Sequence, residues 1–296
     1  MRAENRELLG PRDVVLAAHP GSGASWIGTL LVHLGVFYAS GEEELLADRE
    51  SPRVRGVVEA PDRQLPGEAA TGRSVGVRAQ LEHLPTLRDR DRDATRWRDA
   101  VRVVKTNHSS VGWTRATEGQ PAPKLPERVV LLVRDGRDAV LSLYHHQVSF
   151  SGLDAPLLVY LTGNGGAWVP PATSWAFACM SWRGVMPADR LHVSKFEACR
   201  ARPLEEFRAL LAFLGAPRTD AEIEAAIAAS SYDAMRRQES AALEQHGAAI
   251  GSGRVMRRGM VGEWREVYTE EMLRTFRGMP RRALAELGYP VDTIPR

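Results

Sequence analysis

Apolar positions fall in short uninterrupted runs separated by stretches with helical spacing. Val14–Ala18 (VVLAA) is such a run, stopped by His19-Pro20, and predicts a buried strand. Gly21-Ser22-Gly23 follows, and residues 24–34 have the apolar content of a buried helix. Residues 101–106 (VRVVKT) and Arg128–Val133 (RVVLLV) predict two more strands, the second followed by a helix over 138–148. Residues 173–185 read as a helix and 190–196 as a fourth short strand. Pro203–Leu214 is an amphipathic helix that opens on a proline and stops at Gly215. Asp220–Ala229 and the C-terminal region are helical as well. Strands alternating with helices predict an α/β fold, a central parallel β-sheet flanked by helices.

The intervening segments lack periodicity. Residues 40–72 are acidic and then rich in Pro, Gly and Arg, which reads as loop. Within 81–100, Asp alternates with Arg (RDRDRDATRWRD), the pattern of a solvated face or connector rather than a nucleic-acid patch. Residues 121–126 are a Pro-rich connector. Residues 150–172 and 239–256 are expected to be mobile loops, the first of a kind that serves as lid or substrate wall. No internal repeat is visible, and residues 1–296 read as one domain.

Composition narrows the class. The chain has 296 residues, 44% hydrophobic and 26% charged, which excludes a disordered, collagenous or coiled-coil protein. Lys and Arg sum to 39 and Asp and Glu to 37, so the net charge of +2 excludes a global electrostatic grip on nucleic acid. Two cysteines, Cys179 and Cys199, exclude a disulfide scaffold and leave either one bridge or two reduced thiols. The first residues, MRAENRELLGPRD, have no apolar core or cleavage site. No apolar run approaches the roughly 20 residues of a membrane helix. A cytoplasmic protein without membrane insertion is the expectation.

Three stretches carry candidate chemistry. Gly21 to Trp26 (GSGASW) joins a strand to a helix, where backbone N–H groups, the helix dipole and the Ser22 and Ser25 hydroxyls can meet an anion. It also reads as an ordinary tight turn. It is not a nucleoside-triphosphate loop, which needs a Lys, nor a dinucleotide fingerprint, because Trp26 stands where the third Gly belongs. Arg134 closes a buried strand, where open α/β sheets place ligands, and Ser142 lies on the following helix. Its planar fork suits a phosphate, although the stretch also reads as a capped helix with a surface ion pair, Asp138 capping or holding an arginine. Arg257-Arg258-Gly259 sets two guanidinium groups before a glycine, an anion clamp or a solvated basic turn.

In order and composition the three stretches resemble the sulfotransferases that use 3′-phosphoadenosine 5′-phosphosulfate. That family's loop Pro-Lys-Ser-Gly-Thr-Thr-Trp is similar to Pro20-Gly21-Ser22-Gly23-Ala24-Ser25-Trp26. Its Arg and Ser, eight residues apart, match Arg134 and Ser142, and its Arg-Lys-Gly-x-x-Gly-x-Trp segment resembles Arg257 to Trp264, with Arg258 for Lys. Lys195-Phe196-Glu197 looks like its Lys-Tyr-Glu, and Ser230 to Met235 like its Ser-Ser-Phe-x-x-Met. The resemblance implies the P-loop-like sulfotransferase fold and a phosphosulfate held by Gly21, Ser22, Gly23, Ala24, Ser25 and Trp26. It implies a 3′-phosphate on Arg134, Ser142, Arg257, Arg258 and Gly259. Tyr232 and Trp26 would stack on the adenine, with Phe196 and Met235 beside it; Phe196 lacks the family's hydroxyl.

The chain departs from the family at the reaction centre. Gly21 replaces the loop Lys, and in Lys105-Thr106-Asn107-His108 the residue after Thr is Asn, not the family's base His. The expectation is that Lys105 meets the charge on the leaving phosphate, with His19 as a second source. His108 is expected to be the base, with His145 and His146 as substitutes. The implied function is transfer of the sulfuryl group to a hydroxyl or amine of a small-molecule acceptor, without a metal. The alternative is a non-catalytic protein that binds the same nucleotide. The family's dimer signature is not recognisable around residues 265–274, so monomer and homodimer both stay open.

Overall fold

The computed structural model describes residues 9–40, 101–115, 124–150, 152–163, 169–246 and 257–295. The segments 41–72 and 81–100, residues 121–123 of the connector, and 164–168 and 247–256 of the expected mobile loops lie outside the described residues.

Five parallel strands form one sheet in the order β2-β3-β1-β4-β5: β1 Val14–Ala18, β2 Phe37–Ser40, β3 Arg102–Thr106, β4 Arg128–Val133 and β5 Leu191–Lys195. β1 lies at the centre, with Val14 opposite Val103 on one side and Arg128 on the other. Every residue of β1 is buried, and β4 is buried from Val129 onward. Both faces are covered, which is why these strands are continuous apolar runs instead of alternating ones. Alternate side chains still part company: Val14, Leu16 and Ala18 enter one cluster, Val15 and Ala17 the other.

The helices are α1 Ala24–His33, α2 Ser110–Thr114, α3 Gly136–Phe150, α4 Leu157–Leu161, α5 Pro171–Val185, α6 Phe196–Ala201, α7 Pro203–Leu214, α8 Asp220–Ala229, α9 Tyr232–His246, α10 Trp264–Val267, α11 Glu270–Arg274 and α12 Met279–Glu286. α1, α7 and α8 cover one face; α7 contributes Phe207, Leu210, Leu211 and Leu214, the spacing of one helical stripe. α3, α5 and α12 cover the other, around the buried Trp175 and Trp182. Arg137, fully buried, ties α3 to the C-terminal segment. It forks onto Asp135, donates to Thr293 Oγ1 at 2.9 Å and lies 3.8 Å over the Trp264 ring.

The parallel α/β architecture agrees with the sequence reading, and four details correct it. β2 was not anticipated, being only four residues long. α3 starts at Gly136, not 138, because the Asp135 carboxylate accepts the Arg137 N–H at 3.0 Å and so serves the first turn. α4 and the start of α5 fall inside the expected 150–172 loop, where Tyr160, Leu161 and Ala172 join the core. α9 runs to His246, inside the 239–256 stretch, through good helix formers with no Gly or Pro to stop it. Cys179 and Cys199 are free and sit in different clusters, so the bridge is excluded; burial pushes both thiols up to about 12.

From β1 the chain crosses through α1 to β2, on the far side of β3, while from β4 it proceeds toward β5. The carboxyl ends of β1 and β4 therefore flank the topological switch point, the crevice where such sheets bind ligands.

His19 follows the end of β1; its ring is buried and its Nδ1 lies 2.8 Å from the Pro20 carbonyl. Burial pushes its pKa down to about 4, against the opposing hydrogen bond, so the imidazole is neutral at neutral pH. The unfolded chain takes up this proton near pH 6.5 and the folded chain only near pH 4. Stability should therefore fall by about 3 kcal/mol as pH drops through that window. Chemical denaturation between pH 7 and 4 checks this: His19→Gln should flatten the acid limb, and an unchanged limb would contradict it.

Candidate functional site

The first loop is shaped by two glycines. Gly21 has φ +86° and a Cβ there would fall 2.3 Å from the Ala139 carbonyl oxygen on α3. Gly23 has φ +95° and a Cβ there would meet the Phe196 ring at 2.7 Å. Only glycine fits either position. Gly23 is the N-cap of α1 and supplies no side chain, so the first-turn amides of that helix have no side-chain cap. Ser22 is buried and its Oγ has no hydrogen-bond partner, whereas Ser25 is exposed and Ala24 half-buried. The half-buried Trp26 sets its ring edge-on to Phe196 at 5.6 Å and to Phe207 at 5.5 Å, with the Arg200 guanidinium 5.7 Å from its centre.

Arg134, just past β4, links this loop to the third stretch. Its Nη1 donates to the Gly21 carbonyl at 2.9 Å and its Nη2 to the Met260 carbonyl at 2.7 Å. The guanidinium lies 4.6 Å from the Phe196 ring centre, and its Nε is buried without a partner. Burial weakens its hold on the proton, and Asp138, Glu197 and Glu263 offset part of that cost. The fork expected to face a phosphate is thus shared between two loops, with Nε left over.

The third stretch is pinned from several sides. Asp138 accepts the amides of Gly262 at 2.5 Å and Trp264 at 3.0 Å, so it neither caps its own helix nor holds an arginine in a surface ion pair. Tyr232 Oη donates to the Arg257 carbonyl at 2.7 Å, and Gly259, with φ +60°, sits close enough that a Cβ would lie 3.4 Å from the Tyr232 ring. Met235 is buried one turn further along α9. Ser142 is half-buried on α3, one turn past Asp138. Burial lowers the His145 pKa, and the charges of Arg257 and Arg258 lower it further against Glu263, which places this helix face beside the arginine pair.

Arg257 and Arg258 both contact Glu263, the former through both terminal nitrogens and the latter at 3.2 Å. Burial alone would raise the Glu263 carboxyl, but the two arginines outweigh it and hold it below the usual carboxylate range. Glu197 acts as a brace: its carboxylate accepts the Asp135 amide at 2.8 Å and the Tyr289 hydroxyl at 2.8 Å, fixing the turn that carries Arg134.

Lys105 is half-buried, opposite Leu16 of β1 and Ser40 of β2. β3 ends at Thr106, whose Oγ1 accepts the His108 amide at 3.1 Å, and the His108 carbonyl accepts Trp182 Nε1 at 2.9 Å. The His108 ring is exposed over α2, where a Cβ at Gly112 would lie 3.4 Å from its Nδ1. Strand alternation no longer governs where it points, because the chain has already turned. His19, offered above as a second cation, is corrected: burial keeps it neutral. His146 is exposed on α3.

The structure thus brings together Gly21, Gly23, Phe196 and Trp26 around one end of Arg134, and Tyr232, Gly259, Arg257 and Arg258 beyond its other end. Trp26 and Tyr232 belong to these two separate groups. Sequence reasoning missed Glu263, Glu197 and Arg200. Their roles depend on tertiary contacts that no spacing announces. Among the described residues, no cluster of three or more His, Cys, Asp and Glu could hold a metal ion, and no helix is long and apolar enough to cross a membrane.

No curated protein matches the chain in sequence. Among solved structures it is similar to mouse sulfotransferase SULT7A1 complexed with PAP, at 18% identity and a TM-score of 0.57, covering 94% of this chain and 86% of that one. It is similar to retinol dehydratase in complex with androsterone and the inactive cofactor PAP, at 16% identity and a TM-score of 0.59, covering 93% and 81%. Retinol dehydratase in complex with retinol and PAP gives 18% identity and a TM-score of 0.57, covering 95% and 84%. These likenesses establish a shared fold. The family model of the sulfotransferase domain matches residues 11–288, nearly the whole chain, and the protein belongs to that family.

Proposed function

We propose that the protein is a single-domain, cytoplasmic enzyme that moves the sulfuryl group of 3′-phosphoadenosine 5′-phosphosulfate to a hydroxyl or amine of a small-molecule acceptor, without a metal. The observation that carries this reading is the double attachment of Arg134, which gathers the glycine loop and the arginine segment at the switch point. The residues fit a doubly phosphorylated nucleotide. Gly21 and Gly23 leave no room for a Cβ, and Ser22 Oγ and Arg134 Nε are buried donors without protein partners. Solved structures of the same fold hold PAP, and one of them holds the small alcohol retinol.

In this reading the Ser22 hydroxyl and the amides of Gly23, Ala24 and Ser25 hold the 5′ end of the nucleotide, the Ser22 amide being taken up by the His19 carbonyl at 3.1 Å. Arg134, through its unpartnered Nε, holds its 3′-phosphate together with Ser142, Arg257, Arg258 and Gly259. Trp26, Phe196, Tyr232 and Met235 form the walls for the adenine. When bound, the phosphosulfate supplies an activated sulfuryl group. His108 takes the acceptor's proton as the acceptor oxygen or nitrogen bonds to sulfur and the bond from sulfur to the 5′-phosphate oxygen breaks, and its doubly anchored backbone fixes where the exposed ring can reach. Lys105, on the strand beside β1, meets the charge left on the 5′-phosphate, the work that the loop lysine does elsewhere in the family. Gly21 and Asn107 are the observations that would favour a binding protein without turnover, and turnover itself separates the two.

Two experiments test this. Titration calorimetry with adenosine 3′,5′-bisphosphate should show Arg134→Ala and Arg257→Ala weakening binding roughly ten- to a hundredfold, the scale of losing charge-assisted hydrogen bonds. Unchanged affinity in both would contradict the assignment. With a radiolabelled sulfate donor and an acceptor panel, His108→Ala and Lys105→Ala should each lower turnover by about a hundredfold or more while nucleotide affinity changes far less. Binding without turnover in the unmodified protein would establish the non-catalytic alternative.

A further inference from the structure

The Arg257–Arg258 pair already has a carboxylate in it. Glu263 is 3% exposed, whereas the Arg257 and Arg258 side chains are 31% and 51% exposed. The amides on either side of Glu263, those of Gly262 and Trp264, are fastened to Asp138. The carboxylate is thus the fixed partner and the arginines are the movable ones. Arg257 spends both terminal nitrogens on Glu263, and Arg258 has a second carboxylate, Glu266, at 3.9 Å. A phosphate seated on these arginines must share them with a negative charge that cannot withdraw.

We infer that Glu263 competes with the 3′-phosphate for Arg257 and Arg258 and so sets how fast the bisphosphate product leaves. This rests on the nucleotide reading above. Around that phosphate stand Arg134, Arg257 and Arg258, opposed by Glu263, Asp138 and Glu266, with His145 on the facing helix. Asp138 has its charge spread into two amides, and Glu266 is exposed, so Glu263 is the carboxylate with the most leverage. In the empty protein it relieves the repulsion between adjacent guanidinium groups. In the complex it opposes the dianion at short range, in a partly desolvated setting where charge acts strongly. Tight binding of product gains an enzyme nothing once chemistry is done, and release commonly limits turnover.

Glu263→Gln retains the shape and one acceptor oxygen for the arginines but removes the charge. Calorimetry should show it binding adenosine 3′,5′-bisphosphate about tenfold more tightly than the unmodified protein, and stopped-flow displacement should place the gain in slower dissociation. Without nucleotide the variant should melt at a lower temperature than the unmodified protein, and saturating nucleotide should abolish that deficit. Glu263→Asp, which keeps the charge but draws it back from the arginines, should bind about threefold more tightly. It carries the test alone if the Gln variant does not fold. Equal or weaker binding by the folded variant overturns the inference and makes Glu263 a builder of the clamp. Failure of the unmodified protein to bind the bisphosphate overturns the nucleotide reading itself.

Discussion

One buried guanidinium organises the carboxyl edge of this sheet. Arg134 leaves β4 at the switch point and reaches two carbonyls distant in sequence, those of Gly21 and Met260, while its flat face rests on Phe196. A buried charge is tolerated only when it is hydrogen-bonded and neutralised nearby. Here the carbonyls do the first, and Asp138, Glu197 and Glu263 do the second. These partners come from the glycine loop, the start of α3, the turn after β5 and the C-terminal segment, so those segments hold one another in place around one charge.

The same constraint explains why the acidic residues around the site face inward. Asp138 is fastened to the amides of Gly262 and Trp264, Asp135 to Arg137, and Glu197 to the turn that carries Arg134. None of the three is free to act on a substrate. They are structural counter-charges that let several arginines be concentrated in a chain whose overall charge is +2.

Much of the fold was legible because buried parallel strands must be uninterrupted apolar runs, and VVLAA and RVVLLV are such runs. The glycine loop, Arg134 and the arginine pair were legible as motifs because their chemistry demands particular residue types. What stayed hidden depends on contacts between distant segments. Nothing in the sequence around Glu263 shows that it would fork onto Arg257, six residues earlier, or that Asp138 would reach across to Gly262. Nor does a strand pattern reveal where a chain turns: His108 is placed by the Thr106 hydroxyl and by Trp182 from α5, which alternation could not supply. His19 looked like a cation because a histidine's charge depends on its burial, and burial is a tertiary property.

Three separated stretches closing around one doubly phosphorylated adenosine is the arrangement on which the proposed chemistry depends. A crystal structure with adenosine 3′,5′-bisphosphate tests it most directly. The 5′-phosphate should lie on the Ser22 hydroxyl and the amides of Gly23 to Ser25, the 3′-phosphate among Ser142, Arg257, Arg258 and Gly259, and Arg134 Nε should touch the nucleotide. A nucleotide bound away from Arg134, or held by only one of the three stretches, would contradict it.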